Sequence, residues 1–413
     1  MNRQPANHPD QGSRDFLGWR MVALGFLAVN LAIGSTFGSF GVLIKPVAAD
    51  FGASRGLASL GIAIILLLMG LSGPLLGVAL RHLRIRTVMI AGALLMAAGF
   101  LLASRAPDFP TYLFAYSLVA GSGCALLGII PSSTLVTNWF VARRGLAMGL
   151  ISVPLIVALA PPAVAWLIEW RDWRFALVMQ AVAVLLLLPF LLLVVDRPED
   201  IGQRSLGALP ASAGTESSAP LSGSQARLLR DRFFWGILLG AGLITCGGIV
   251  IVSHLVPYAT DLGIEPTAAA MLMSVNGTAS MVGALFCGWV ADRIGARLTV
   301  GLLGVVLAVL WSLLLMFPVF PVIATLLLGI GLCAGGLHPA FAALLGNAFG
   351  REAFASALGL ATLLMLPFTF AAAPLAGAIF DATGSYNVAF TLQIACFVVA
   401  AAILLGIFRA RPH

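Results

Sequence analysis

Side chains able to exchange a proton are few in this sequence, and few of them fall inside its long apolar stretches. There is a single Lys, Lys45, and there are five His, at 8, 82, 254, 338 and 413. His338 stands beside Pro339 near the middle of one apolar stretch. Proline lacks the N–H that would continue a helix, so the backbone is loosened there. An imidazole in such surroundings needs water, a solute or a partner, and it can change charge at ordinary pH. His338 is therefore a candidate both for binding a small polar solute and for moving a proton. Lys45 and His254 lie near the ends of their stretches and are candidates for proton movement. The alternatives are a Lys reaching the interface along its alkyl stem and a His that spaces two elements.

The uncharged polar residues add a second set. Asn276 and Ser280 are four apart and share a helix face, as do Tyr112 and Tyr116. Asn276, Ser280, Tyr116 and Asn30 are candidates for lining a solute site, with hydrogen bonding between helices as the alternative. Tyr112, nearer its end, suits an anchor at a lipid interface. No carboxylate falls in the core of an apolar stretch, no H-E-x-x-H occurs, and the one Lys follows Ile44 and precedes Pro46 instead of closing a P-loop. The five Cys are scattered within apolar stretches, which suits packing. Enzyme chemistry, a metal site, a bound cofactor and nucleic-acid binding are accordingly not expected.

The elements that carry these residues must sit in lipid. The 413 residues are 60% hydrophobic and 9% charged, with a mean hydropathy of +1.04, too little polar surface for a soluble domain of this size. Helices able to cross about 30 Å of hydrocarbon are expected at about 20–44, 56–80, 87–104, 110–136, 144–168, 173–195, 233–259, 267–291, 298–318, 321–347, 353–379 and 386–408. Of the 23 Lys and Arg, five (Lys45, Arg55, Arg105, Arg171 and Arg174) fall on one side and the other 18 on the opposite side. The positive-inside bias then predicts both termini in the cytoplasm and explains the net charge of +7. The polar start of the chain reads as a tail and the first apolar run as an uncleaved helix. From Asp196 to Arg232 the chain turns polar and Gly-, Ser-, Ala- and Pro-rich, as a flexible linker does. The organisation expected is a tail at 1–19, six helices within 20–195, a linker at 196–232, six helices within 233–408 and a tail at 409–413.

The two sets of six echo each other. Pro46, Asp50, Gly52, Gly77 and Arg86 recur as Pro257, Asp261, Gly263, Gly288 and Arg297, all 211 residues on. With small length changes Asn138 and Phe140 answer to Asn347 and Phe349, Gly149 to Gly359, and Gln180 to Gln393. Two similar helical halves are what alternating access requires, because they can rock about a site between them.

The run from Gly288 to Arg297, with Asp292, Arg293 and Gly295, resembles the G-x-x-x-D-R-x-G-x-R loop of the major facilitator superfamily, and Gly77 to Arg86 is a worn copy with Arg81 in the Asp position. Within that superfamily the chain resembles the monocarboxylate-porter and oxalate/formate-antiporter group in Phe40 to Pro46, Trp139 to Leu150, Trp173 and Arg174, His254 to Gly263, and Phe349 to Arg351. The resemblance implies an all-α membrane protein of twelve transmembrane helices in two pseudo-symmetric six-helix bundles. It implies a transporter of a small, monocarboxylate-like organic acid in an inner membrane, driven by proton symport or by exchange. Lys45 matches the group's first-helix Lys, tied to proton and substrate entry, and Asp292, Arg293 and Arg297 form a loop that either gates, with Asp292 paired to an Arg, or serves as a topological anchor. One departure bears on substrate. Where the group commonly carries Arg in the eighth helix this chain has Ala284, and Ser280 replaces an Asp of the vertebrate carriers. A proton-antiport exporter of a neutral or amphipathic metabolite or drug is the alternative.

Overall fold

The computed structural model describes residues 16–207 and 227–406. Most of the first expected tail, all of the last and the middle of the expected linker lie outside the described residues. Among those described, twelve helices are long and apolar enough to cross a membrane. They are α1 (Gly18–Phe51), α2 (Arg55–His82), α3 (Ile85–Ser104), α4 (Phe109–Trp139), α5 (Leu146–Trp170), α6 (Trp173–Leu191), α7 (Arg232–Asp261), α8 (Pro266–Ile294), α9 (Ala296–Met316), α10 (Phe320–Phe349), α11 (Ala357–Thr383) and α12 (Asn387–Gly406).

The carboxylates and hydroxyls between the apolar runs begin these helices. Ser54, Asp108, Asp172 and Glu265 accept N–H groups from the first turns of α2, α4, α6 and α8, satisfying donors that no helical carbonyl can reach. Gly52 and Gly384, with φ of 62° and 71°, close α1 and α11 in the left-handed region. Asp196, just past α6, accepts the N–H groups of Ile85 at 2.8 Å and Arg86 at 3.1 Å, so the end of α6 caps the start of α3.

The first part of the expected linker is held in place. Residues Pro198–Ile201 form one tight turn, and Leu206 then pairs with the turn after α4: its N–H donates to Trp139 O at 2.9 Å and its carbonyl accepts from Val141 and Ala142. A freely flexible connector is therefore excluded for residues 196–207.

The first six spans meet the last six along α2 with α11, α5 with α8, and the later part of α1 with α7. At one end, which carries Lys45, Arg55, Asp261 and Asp381, these contacts are backbone-close: a Cβ added to Gly377 would lie 2.7 Å from Gly56 N, and one added to Gly41 would lie 2.6 Å from Val252 O. The contact of α2 with α11 extends down to Gly70 against Leu366. Beyond it, toward the end that carries Arg84, Arg86 and Arg293, Gly77 on α2 and Gly359 on α11 have open space around them, as do Gly149 on α5 and Gly288 on α8. The molecule is thus latched at the Lys45 end and parted at the basic end.

Candidate functional site

A cavity of about 260 Å³ opens where α5 meets the last six spans. Pro154 and Val157 line it from α5, and Asn276, Gly277 and Ser280 from α8. Opposite them are His338 on α10, Trp311 on α9 and a stretch of α7 that includes Thr245 and Val252. Three of the sequence candidates thus converge. The reason is local: α10 carries Gly331 and Gly335 on the face toward α8, where an added Cβ would lie 2.4 Å from Asn276 O and 1.9 Å from Ser280 O. Small residues four apart let the two backbones touch, which holds the Asn276 and Ser280 face and His338 at one level.

The cavity is mostly apolar, and no Lys, Arg, Asp or Glu lines it. Ser280 Oγ donates to Asn276 O at 2.9 Å, and among the described residues Asn276 Oδ1 and Trp311 Nε1 are buried without a partner. His338 is exposed into this space, with no hydrogen bond to a described residue. Buried polar atoms left unpaired by protein call for water or a ligand. The arrangement offers a donor at Trp311, an acceptor at Asn276 and an imidazole in an apolar chamber.

Two candidates lie elsewhere. Asn30 lines a neighbouring pocket of about 110 Å³, but its amide is committed: Nδ2 donates to Val153 O at 2.9 Å and Phe26 O at 3.1 Å, while Oδ1 accepts Ile156 N–H at 2.9 Å. These bonds repair the backbone where Pro154 breaks α5, so Asn30 pins a bend instead of facing solute. Tyr116 is fully buried within the first six spans, donating to Thr36 O at 3.1 Å and stacking on Tyr112 with ring centroids 5.5 Å apart. It does not reach the cavity, because packing against Phe40 and Phe100 takes its remaining faces.

Lys45 and His254 belong to the latch. Lys45 Nζ bonds Asp261 Oδ1 at 2.7 Å and Thr260 Oγ1 at 2.8 Å. Asp381 accepts the N–H groups of Arg55 at 2.9 Å and Gly56 at 2.8 Å, a cap on α2 supplied by α11. His254 Nε2 lies 2.9 Å from Ala373 O, a pure acceptor, so Nε2 carries the hydrogen. Nδ1 then accepts from the Tyr386 hydroxyl at 3.1 Å. Burial pushes the Tyr386 phenol up to about 12, which keeps that hydrogen in place. Nε2 also lies 3.3 Å from Ser59 Oγ on α2, so the ring ties α7 to α11 and to the opposite half.

At the basic end the expected pairing of Asp292 with an Arg is not made among the described residues. Asp292 is exposed, Arg293 lies over the Trp289 ring at 4.4 Å, and Arg297 donates to Leu405 O at 3.0 Å. With this end parted, nothing presses the loop against an opposing helix. The sequence reading overlooked Arg55, Asp261, Asp381, Tyr386 and Trp311. A signal for Asp261 was present, since its repeat partner Asp50 stands at the same turn, but the cation it meets is 206 residues away in sequence.

The model of the Major Facilitator Superfamily matches residues 25–259 and 239–413. A protein of Bos taurus named Monocarboxylate transporter 13 is 30% identical over 99% of this chain and 91% of its own length. Monocarboxylate transporter 11 of Homo sapiens is 27% identical over 100% and 86%. Among solved structures, a bacterial homolog of the human lysosomal transporter Spinster, in an inward-facing and occupied conformation, superposes with a TM-score of 0.74 at 14% identity, covering 97% of this chain and 98% of that one. That likeness is one of fold.

Proposed function

The chain belongs to the major facilitator superfamily, and on that premise we propose that it moves a monocarboxylate-like organic acid across an inner membrane by alternating access, coupled to protons or by exchange. It is a twelve-span membrane transporter and not an enzyme. The observation that carries the reading is the meeting of His338, Asn276 and Ser280 in one apolar chamber between the halves. A small acid fits such a chamber with its apolar body against Val157, Ile244 and Leu337 and its carboxyl toward the imidazole. An ionised carboxylate in surroundings this apolar requires a compensating charge, and a protonated His338 supplies one. Substrate and proton then travel as a neutral pair.

Uptake of labelled lactate and longer monocarboxylates into vesicles, with an imposed pH gradient, tests this. Wild-type protein is expected to accumulate the acid when the far side is alkaline. His338→Gln keeps a hydrogen bond but not the charge switch, so exchange survives while gradient-driven accumulation falls by about tenfold, the weight of 1.4 kcal/mol of lost coupling. Wild-type gradient dependence in His338→Gln sinks the coupling role. The second reading, export of a neutral or amphipathic solute against protons, is favoured by the chamber's lack of a fixed charge and by Ala284, one turn from Ser280. Neutral analogues in the same assay decide between them.

A further inference from the structure

In the latched state two cations of the first six spans grip one carboxylate of the last six. Arg55 Nη1 and Nη2 donate to the two oxygens of Asp261, Nη2 to Oδ1 at 3.0 Å, and Lys45 Nζ reaches Oδ1 at 2.7 Å. A planar fork on a carboxylate, joined by a second cation, is the pattern by which proteins recognise free carboxylates. The other partners of Arg55 are the Tyr386 hydroxyl at 3.1 Å and the Phe380 ring, 3.7 Å from guanidinium carbon to centroid. Lys45 adds only the Thr260 hydroxyl. Every one of these groups belongs to the last six spans or the turn before α12. When the halves part, both cations lose their partners together. They are already in reach of water, with the Arg55 side chain 16% and Lys45 37% exposed.

The internal repeat explains why Asp261 crosses over. Its counterpart Asp50 is bound within its own half by Arg174 near the start of α6. Trp173 and Arg174 correspond to Tyr386 and Asn387 at the start of α12, at the spacing that relates Gln180 to Gln393. Asn387 has no charge to offer, so Asp261 finds its cation across the interface.

We propose that Arg55, with Lys45, is the docking site for the carboxylate of the arriving organic acid, and that Asp261 is a tethered stand-in for it. Substrate and Asp261 exchange on the same two cations as this end opens and closes. The inference rests on the organic-acid reading and deepens it: the gate supplies the fork that Ala284 does not.

The test uses purified full-length protein with lactate as probe and its uncharged amide, lactamide, as control, binding being read as thermal stabilisation over a concentration series. Asp261→Asn keeps the shape and removes the competing charge. It is expected to bind lactate about tenfold more tightly than wild type, because the site is no longer occupied by its own chain. Arg55→Gln is expected to weaken lactate binding about as much, and adding Asp261→Asn to Arg55→Gln should restore nothing. If Arg55→Gln does not fold, Arg55→Lys keeps the charge without the fork, and weaker lactate binding than wild type is expected. A gain from Asp261→Asn that persists without Arg55, an affinity unchanged in the Arg55 variants, or no lactate binding even to Asp261→Asn overturns the docking site. Lactamide binding as well as lactate in every variant overturns the organic-acid reading itself, whereas the first two outcomes leave that reading standing.

Discussion

His254 serves as a three-way tie whose tautomer is set by its neighbours. With Nε2–H given to Ala373 and Nδ1 accepting from Tyr386, the ring joins α7, α11 and the turn before α12, and it touches Ser59 of the opposite half. A buried hydrogen bond of this kind contributes about 1 kcal/mol, and leaving one partner unsatisfied costs about 1–3 kcal/mol. Tyr386→Phe removes the donor to His254 and an acceptor for Arg55 at once, so it should loosen the latch. His254→Leu should loosen it further, while His254→Gln, able to keep a donor toward Ala373, should be mildest. A Cys placed at Val157, in a background with the five native Cys replaced, reports the loosening as faster labelling by an impermeant maleimide added from the latched side. Equal labelling in all four proteins would show that the ring only fills space.

The bend in α5 shows how an element is shaped by a side chain from another. Pro154 removes one helical donor, and the chain from Ser152 to Pro154 leaves the helical path. Asn30 on α1 donates to the Val153 carbonyl, which also accepts Leu155 N–H, and takes up the stranded Ile156 N–H. The bend brings Pro154 and Val157 to the cavity wall, while the α8 contact is made a turn further on, where Ser274 Oγ donates to Ala158 O. Asn30→Ala strands the half-buried Ile156 N–H and takes one of two donors from Val153 O, and is expected to cost about 1–3 kcal/mol, lowering the melting temperature by a few degrees. Asn30→Asp keeps the acceptor for Ile156 but sets a carboxylate oxygen against the Val153 and Phe26 carbonyls, so it should cost at least as much. A melting temperature for Asn30→Ala equal to wild type would assign the repair to water instead.

The whole molecule is two related halves latched together at one end. Asp381 of the last six spans caps α2 of the first six, and Asp261 takes Arg55 and Lys45 across the same interface. The bias of basic residues predicts that this end faces away from the cytoplasm and the parted end toward it. Reporter fusions at Gly207 and at the C-terminus should then both read cytoplasmic. A signal from the opposite compartment at either point would reverse the orientation, and with it the side from which substrate meets Arg55.

Spans, repeat and family were legible in the sequence because they depend on local quantities: twenty apolar residues need no partner to announce a membrane helix, and Pro257, Asp261 and Gly263 repeat Pro46, Asp50 and Gly52 whatever they touch. Asn276 and Ser280 could be put on one face for the same reason, four apart on one helix, and His338 could be singled out because an imidazole is rare in such a run. Tertiary structure decided what each polar residue is for. Asn30 and Asn276 are equivalent in the sequence, one polar amide in an apolar stretch. One is consumed by a broken backbone and the other has an open oxygen, a difference that depends on where Pro154 and Gly331 bring neighbouring helices. Likewise Asp50 and Asp261 occupy the same turn of the repeat, and only the presence of Arg174 near one and of Asn387 near the other sends the second carboxylate across to Arg55. Pairing energy falls off within a few ångströms in water, so it is set by which side chains the fold brings into contact, and the order of residues along the chain does not contain it.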